Sequence, residues 1–74
     1  MIEEHDIVVL TRDLPDEHLV AGDAGTVVLM HRGRKAYEVE FTTLEGATLA
    51  VVTVEAADMR PAGEREIAHA RAVA

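Results

Sequence analysis

The sequence contains no cysteine, no serine and no tryptophan, and it has one tyrosine and one phenylalanine among 74 residues. Without cysteine, neither a disulfide framework nor a thiolate metal site can support the fold. Threonine is the remaining hydroxyl nucleophile, and the threonines lie on or beside predicted strands, where this residue is simply a good strand former. Two aromatic residues cannot line the groove that binds proline-rich peptides, so that function is excluded.

Positive charge is also scarce. Seven Lys and Arg against fourteen Asp and Glu leave a net charge of −7. Because phosphate neutralisation supplies most non-specific affinity for nucleic acids, this balance disfavours RNA or DNA as a partner. The basic cluster Arg32, Arg34 and Lys35 occupies a predicted hairpin turn. We interpret it as a solvated loop tip, and phosphate binding by these three residues is the alternative.

Long apolar runs are missing as well. No run approaches the ~20 residues that cross a bilayer, so we predict no membrane association. Glu3, Glu4 and Asp6 stand where a signal peptide would carry a basic start and an apolar stretch. We therefore expect a cytoplasmic protein.

Titratable side chains offer few candidates for catalysis or metal binding. The four histidines are scattered without the spacing of zinc ligands, so we predict no metal and no cofactor. Asp13, Asp16, Glu17 and His18 cluster in one long loop, where His18 can pair with a carboxylate. Acid–base catalysis needs such groups in a water-poor pocket, whereas loop carboxylates of an acidic protein are ordinarily solvated. We predict no catalytic residue and no enzymatic activity.

The stretch Gly22-Asp23-Ala24-Gly25 opens directly into the apolar run Thr26–Met30. Two glycines at this spacing predict a tight turn that feeds a strand. Gly25 is expected either to adopt a backbone conformation unfavourable for other residues or to lie against a neighbouring strand. Tyr37–Phe41 alternates apolar and polar residues with period two, which predicts a strand with one buried face. The two segments form a hairpin.

Short strands separated by turn residues indicate a sandwich or a barrel. We predict an all-β fold, a small five-stranded, SH3-like, partly open barrel over residues 1–61. A tail over residues 62–74, either helical or frayed, follows it. A single helical turn is predicted over residues 55–58, and Leu19 and Val20 are expected to fold the long loop back onto the barrel. The predicted strands are Asp6–Thr11, Gly25–His31, Ala36–Thr42, Ala47–Val54 and Met59–Arg60. The predicted core residues are Val27, Leu29, Tyr37, Val39 and Phe41.

Five segments resemble an uncharacterised family of small bacterial domains, a domain of unknown function. They are Asp6–Thr11, Leu14-Pro15, Gly22–Val28, Tyr37–Phe41 and Met59–Pro61. The resemblance covers Asp6 to Pro61 and implies no established activity. Genes of this family often lie beside another small gene, which implies an antitoxin-like pair.

The element Gly22–Val27 is also similar to SH3-like barrels more broadly. These include the KOW modules of ribosomal and transcription proteins, the small stromal barrel subunit of photosystem I and the barrel of the nitrile hydratase β-subunit. The resemblance implies either a docking subunit or an RNA-binding module.

Two predicted strands lack the alternation expected when one face is buried: Ile7–Leu10 and Leu49–Val54. Either strong bending of the barrel buries parts of both faces, or an outer apolar strip is covered by a partner protein or a second copy of the chain. We predict the second, with an acidic rim that favours a basic partner. The partner is expected to be the product of the adjacent gene. The predicted partner-binding residues are Val8, Leu10, Ala50 and Val52.

Overall fold

The computed structural model describes residues 2–73, which form one open sheet of five antiparallel strands. In chain order the strands are β1 (Ile7–Leu10), β2 (Ala24–Met30), β3 (Ala36–Thr42), β4 (Thr48–Glu55) and β5 (Met59–Pro61). Their order across the sheet is β4-β3-β2-β1-β5, so β4 and β5 are the two edges. The prediction of an all-β fold with five strands is confirmed.

Short 3-10 turns connect several of these strands. They span Pro15–Glu17, Arg32–Arg34 and Ala56–Asp58, and the last coincides with the helical turn predicted before β5. No helix within residues 2–73 is long and apolar enough to cross a membrane.

The core forms where the bent sheet brings alternate side chains of its strands together. Tyr37, Val39 and Phe41 of β3 are all buried, as the period-two pattern predicts. Each apolar side chain of this size stabilises the fold by roughly 1.5–3 kcal/mol when fully buried. The buried apolar set is Val8, Leu10, Leu19, Val27, Tyr37, Val39, Phe41, Val54 and Met59.

Leu29 was predicted in the core, and that prediction is wrong. The pairing of β2 with β3 shifts between Val27 and Leu29, so that Val27 lies opposite Val39 while Leu29 lies opposite Glu38. Because successive side chains of a strand point to opposite faces, the extra residue Val28 turns Leu29 outward. Leu29 is accordingly 49% exposed.

Gly25 lies where two strands approach closely. A Cβ atom at this position would sit 2.6 Å from Val39 Cγ1, 2.9 Å from the carbonyl oxygen of Glu40 and 3.0 Å from Phe41 Cδ1. Of the two predicted reasons for this glycine, close approach to a neighbouring strand is therefore the correct one. The positive φ belongs instead to Gly22, at +94° in the turn before β2.

Of the two residues predicted to fold the long loop between β1 and β2 back onto the barrel, Leu19 does so. Leu19 is buried and forms an isolated bridge with Leu14. Val20 was expected to fold back with it, yet it is 39% exposed. Its backbone N–H instead donates to Asp23 Oδ2 at 2.9 Å, which shapes the loop locally.

The chain after β5 adopts no regular secondary structure over residues 62–73, so the helical alternative predicted for the tail is wrong for this range. A helix of this length is marginal in water without a packed face, and Ile67 is 93% exposed. Side-chain ion pairs attach the segment to the sheet instead. Ala74, the last residue of the predicted tail, lies outside the described residues.

Candidate functional site

Four apolar side chains face outward from β1 and β4: Ile7, Val9, Leu49 and Val51. We call this set the outward apolar face. Ile7 and Val51 are each 56% exposed, Leu49 is 45% exposed and Val9 is half-buried. The sheet register joins the two strands into one surface, because Ile7 pairs with Thr26, Thr26 with Glu40, and Glu40 with Val51. The apolar side chains of β1 and those of β4 therefore lie on one side of the sheet, at the two ends of a row that has Thr26 and Glu40 between them.

The predicted partner-binding residues lie on the other side of the sheet. Val8 and Leu10 are 1% and 2% exposed and belong to the core, so they are not available to a partner. Ala50 and Val52 are half-buried, and Val52 packs against the core. The physical reason is the strand register: a shift of one residue exchanges the two faces of a strand. The prediction is therefore wrong for Val8 and Leu10, whereas for the half-buried Ala50 and Val52 it stays a prediction.

Two carboxylates border the outward apolar face on β3. Glu38 Oε2 accepts a hydrogen bond from Thr53 Oγ1 at 2.6 Å and lies 2.5 Å from His31 Nε2. Glu40 Oε2 accepts from Thr48 Oγ1 at 2.6 Å. The Thr53 hydroxyl, and after it His31, lowers the pKa of Glu38. The carboxylate therefore stays ionised at neutral pH and places negative charge beside apolar side chains.

Residues of the tail and of the sheet together line a groove of about 790 Å³ beside this face. Ile7, Val9 and Leu49 contribute to its floor. Arg60 of β5 donates two hydrogen bonds to Glu66 of the tail, both of 2.6 Å. The guanidinium of Arg60, together with the Gly63 N–H, lowers the pKa of Glu66 to about 2.

The three residues of the predicted basic cluster differ in their contacts. Arg34 has a left-handed backbone with φ of +55°. Its Nη1 donates to the carbonyl oxygen of Ile2 at 2.8 Å and to Glu3 Oε2 at 3.2 Å. Arg34 therefore attaches the N-terminal segment to the hairpin. Arg32 and Lys35 are exposed, so two side chains rather than three present free positive charge at this tip.

Two of the four loop residues considered for catalysis make structural contacts. Asp13 Oδ1 accepts a hydrogen bond from the backbone of Ala21 at 2.9 Å. His18 ends a 3-10 turn with φ of +58°, and its carbonyl oxygen accepts from Arg71 at 3.1 Å. Asp16 and Glu17 are exposed. Over residues 2–73, no group of three or more His, Asp or Glu side chains is arranged to hold a metal ion.

Comparison with known families decides the classification. The family described as "Domain of unknown function (DUF4926)" matches residues 4–61, the range that contains all five strands. The chain belongs to this family. No curated protein and no solved structure matches the chain. The DUF4926 match ends at Pro61, so the tail that borders the groove lies beyond the family region.

Proposed function

We propose that this domain is a non-catalytic, SH3-like small barrel that binds a partner protein in the bacterial cytoplasm, as an accessory or antitoxin-like neutralising subunit. The observation that carries this proposal is the outward apolar face. In it Ile7 and Val51 are each more than half exposed at the two ends of one cross-strand row, with Thr26 and Glu40 between them. Apolar side chains gathered on one surface of a small soluble domain commonly mark a protein interface.

Charge supports a basic partner. Glu38 and Glu40 lie on the strand between Thr26 and Val51, so an interface on the outward apolar face has carboxylates within it. The whole chain carries a net charge of −7. Complementary potentials accelerate association and exclude partners of the same sign, so this surface selects against nucleic acids and acidic proteins.

The experiment is binding of the purified domain to the product of the neighbouring gene, measured by calorimetry. Ile7→Asp is expected to weaken binding at least tenfold while the circular dichroism spectrum stays unchanged. Val28→Asp changes an exposed valine outside the outward apolar face and serves as the matched control. Arg32→Ala combined with Lys35→Ala is expected to leave binding unchanged.

The KOW-like alternative makes the opposite prediction. If Arg32 and Lys35 bind phosphate, a single-stranded RNA titration shows affinity that falls steeply with salt and disappears in the Arg32→Ala/Lys35→Ala variant. That result, together with unchanged protein binding in the Ile7→Asp variant, would overturn the proposed function.

A further inference from the structure

The edge strand β4 has one hydrogen-bonded neighbour among residues 2–73, the strand β3. It is the longest strand of the sheet, with eight residues, and its sequence Thr48–Glu55 contains neither proline nor lysine. Exposed edges of natural sheets are usually shortened or protected by such residues, because their unpaired backbone groups attract other strands. The opposite edge follows that rule, since β5 has three residues and ends at Pro61.

The register shows which backbone groups of β4 are unpaired. His31 N donates to the carbonyl oxygen of Ala36, so the backbone of Ala36 is directed toward β2. Its partner Glu55 is therefore directed away from β3, since backbone directions alternate along an antiparallel pair. By the same alternation Thr53 and Val51 present their N–H and C=O groups to the free edge.

A groove of about 610 Å³ lies directly beside these groups. One wall is formed by Val51, Val52 and Thr53 of β4, and the other by the loop residues 12–17. The free edge therefore faces an open channel with a second wall, not bulk solvent alone. An added strand in this channel would satisfy the backbone of Val51 and Thr53.

The second wall of the groove is acidic. The wall has three carboxylates, on Asp13, Asp16 and Glu17, and one cation, Arg12. Arg12 Nη1 lies 3.7 Å from Asp58 Oδ1, so its charge is partly neutralised. Neither Asp16 nor Glu17 has an ion-pair partner within residues 2–73. A chain inserted beside β4 would meet these carboxylates with its side chains.

We propose that the free edge of β4 binds an extended, lysine- or arginine-bearing segment of a partner protein, which adds to the sheet as a sixth strand. In strand addition the main-chain hydrogen bonds supply affinity and the flanking side chains supply selectivity. A basic segment complements Asp16 and Glu17, whereas a second copy of this chain brings another net charge of −7 to the same place. The charge therefore favours a foreign basic segment over self-association. This binding mode goes beyond the proposed function, because it uses the backbone groups of β4 and an acidic groove; Val51 is the one residue that also belongs to the outward apolar face.

The test uses the full chain, labelled with 15N, and a blocked eight-residue peptide of alternating lysine and threonine. Before addition, the amides of Val51 and Thr53 are expected to exchange with solvent faster than those of Val52 and Val54. With the peptide bound, exchange at Val51 and Thr53 is expected to slow at least tenfold. A peptide with glutamate in place of lysine is expected not to bind. A lysine peptide whose backbone nitrogens are methylated along both edges, so that neither edge can donate hydrogen bonds, is also expected not to bind.

Matched variants separate the groove from general charge attraction. The double variant Asp16→Asn/Glu17→Gln is expected to bind the lysine peptide about tenfold more weakly. The double variant Glu45→Gln/Glu64→Gln removes the same charge elsewhere and is expected to bind the peptide with unchanged affinity. Equal weakening by both pairs, or undiminished binding of the methylated peptide, would overturn the proposal.

Concentration-dependent protection of Val51 and Thr53 without peptide would also overturn it, in favour of a second copy at this edge. Failure of the outward apolar face to bind the neighbouring gene product leaves these outcomes unchanged, so the two proposals fail independently.

Discussion

Arg71 holds Asp23 across 48 residues of sequence. Arg71 Nε donates to Oδ1 at 2.7 Å and Nη2 donates to Oδ2 at 2.5 Å, a two-point contact between the tail and the turn before β2. The same guanidinium donates to the carbonyl oxygen of His18. Planar pairing of this kind fixes orientation as well as distance. The tail is therefore attached at its far end as well as at Arg60.

Loss of this contact should release the tail without unfolding the sheet. In the Arg71→Ala variant we expect the backbone order parameters of Ala68 and Ala70 to fall below about 0.6, a value typical of flexible chain. Arg65→Ala removes a tail arginine that has no ion pair within residues 2–73 and is the control. A tail that stays ordered in Arg71→Ala would contradict this account.

Acid should release the tail for the same reason. The hydrogen bond from Arg71 lowers the pKa of Asp23, and the contact with Arg60 lowers the pKa of Glu66 to about 2. A carboxylate whose pKa is lower in the attached state favours attachment above its free value, about 4, and loses that effect as pH falls through the lowered value.

We therefore expect the backbone order parameters of the tail to be constant from pH 7 to about 5 and to fall between about pH 4 and 2. In the Glu66→Gln variant, the tail should lack the pH-dependent change that protonation of Glu66 causes. Release near pH 6.5 would instead indicate a histidine, and the ion pairs would not be its cause.

The reversed faces of β1 and β4 can be tested with matched leucines. Leu10 is 2% exposed and Leu49 is 45% exposed. Leu10→Ala should lower the free energy of unfolding by about 2–5 kcal/mol, because it leaves a cavity in the core. Leu49→Ala should change it by about 0.5 kcal/mol or less, as is usual at exposed positions. Urea denaturation measures both, and equal losses would contradict the assignment of faces.

Strand β3 could be predicted from sequence because its alternation is complete. Tyr37, Val39 and Phe41 are separated by Glu38 and Glu40, so only one orientation buries the apolar side chains. β1 offers no such guide, since all four of its residues are apolar. Its orientation depends on pairing with Gly25 and Met59, which are distant in sequence.

An outer apolar strip on β1 and β4 was predicted, but its residues were assigned to the wrong faces for that reason. The pairing of Val52 with the buried Val39 would have assigned the faces of β4, because residues opposite each other on neighbouring strands share a face. That pairing is known only once the register is known. Arg34 and the tail were missed for a different reason: their positions depend on contacts with Glu3 and Asp23, and no local pattern encodes either pair.

Gly25 provides the most direct test of how the sheet is packed. Gly25→Ala introduces a Cβ atom 2.6 Å from Val39 Cγ1 and 2.9 Å from the carbonyl oxygen of Glu40. Val39 is fully buried and the carbonyl is backbone of β3, so the strands must separate. Such overpacking costs about 1–3 kcal/mol, and Gly25→Val should cost more because it adds two further methyl groups.

Gly22 supplies the matched comparison, because a Cβ atom there would have no neighbour within 4 Å. Its φ of +94° nevertheless penalises any side chain, so Gly22→Ala should be destabilising through the backbone alone. Replacing Gly22 with D-alanine, which favours positive φ, should therefore restore the stability that Gly22→Ala loses. Thermal unfolding of the synthetic chains measures the difference, and a D-alanine chain no more stable than Gly22→Ala would show that backbone conformation is not what requires glycine at Gly22.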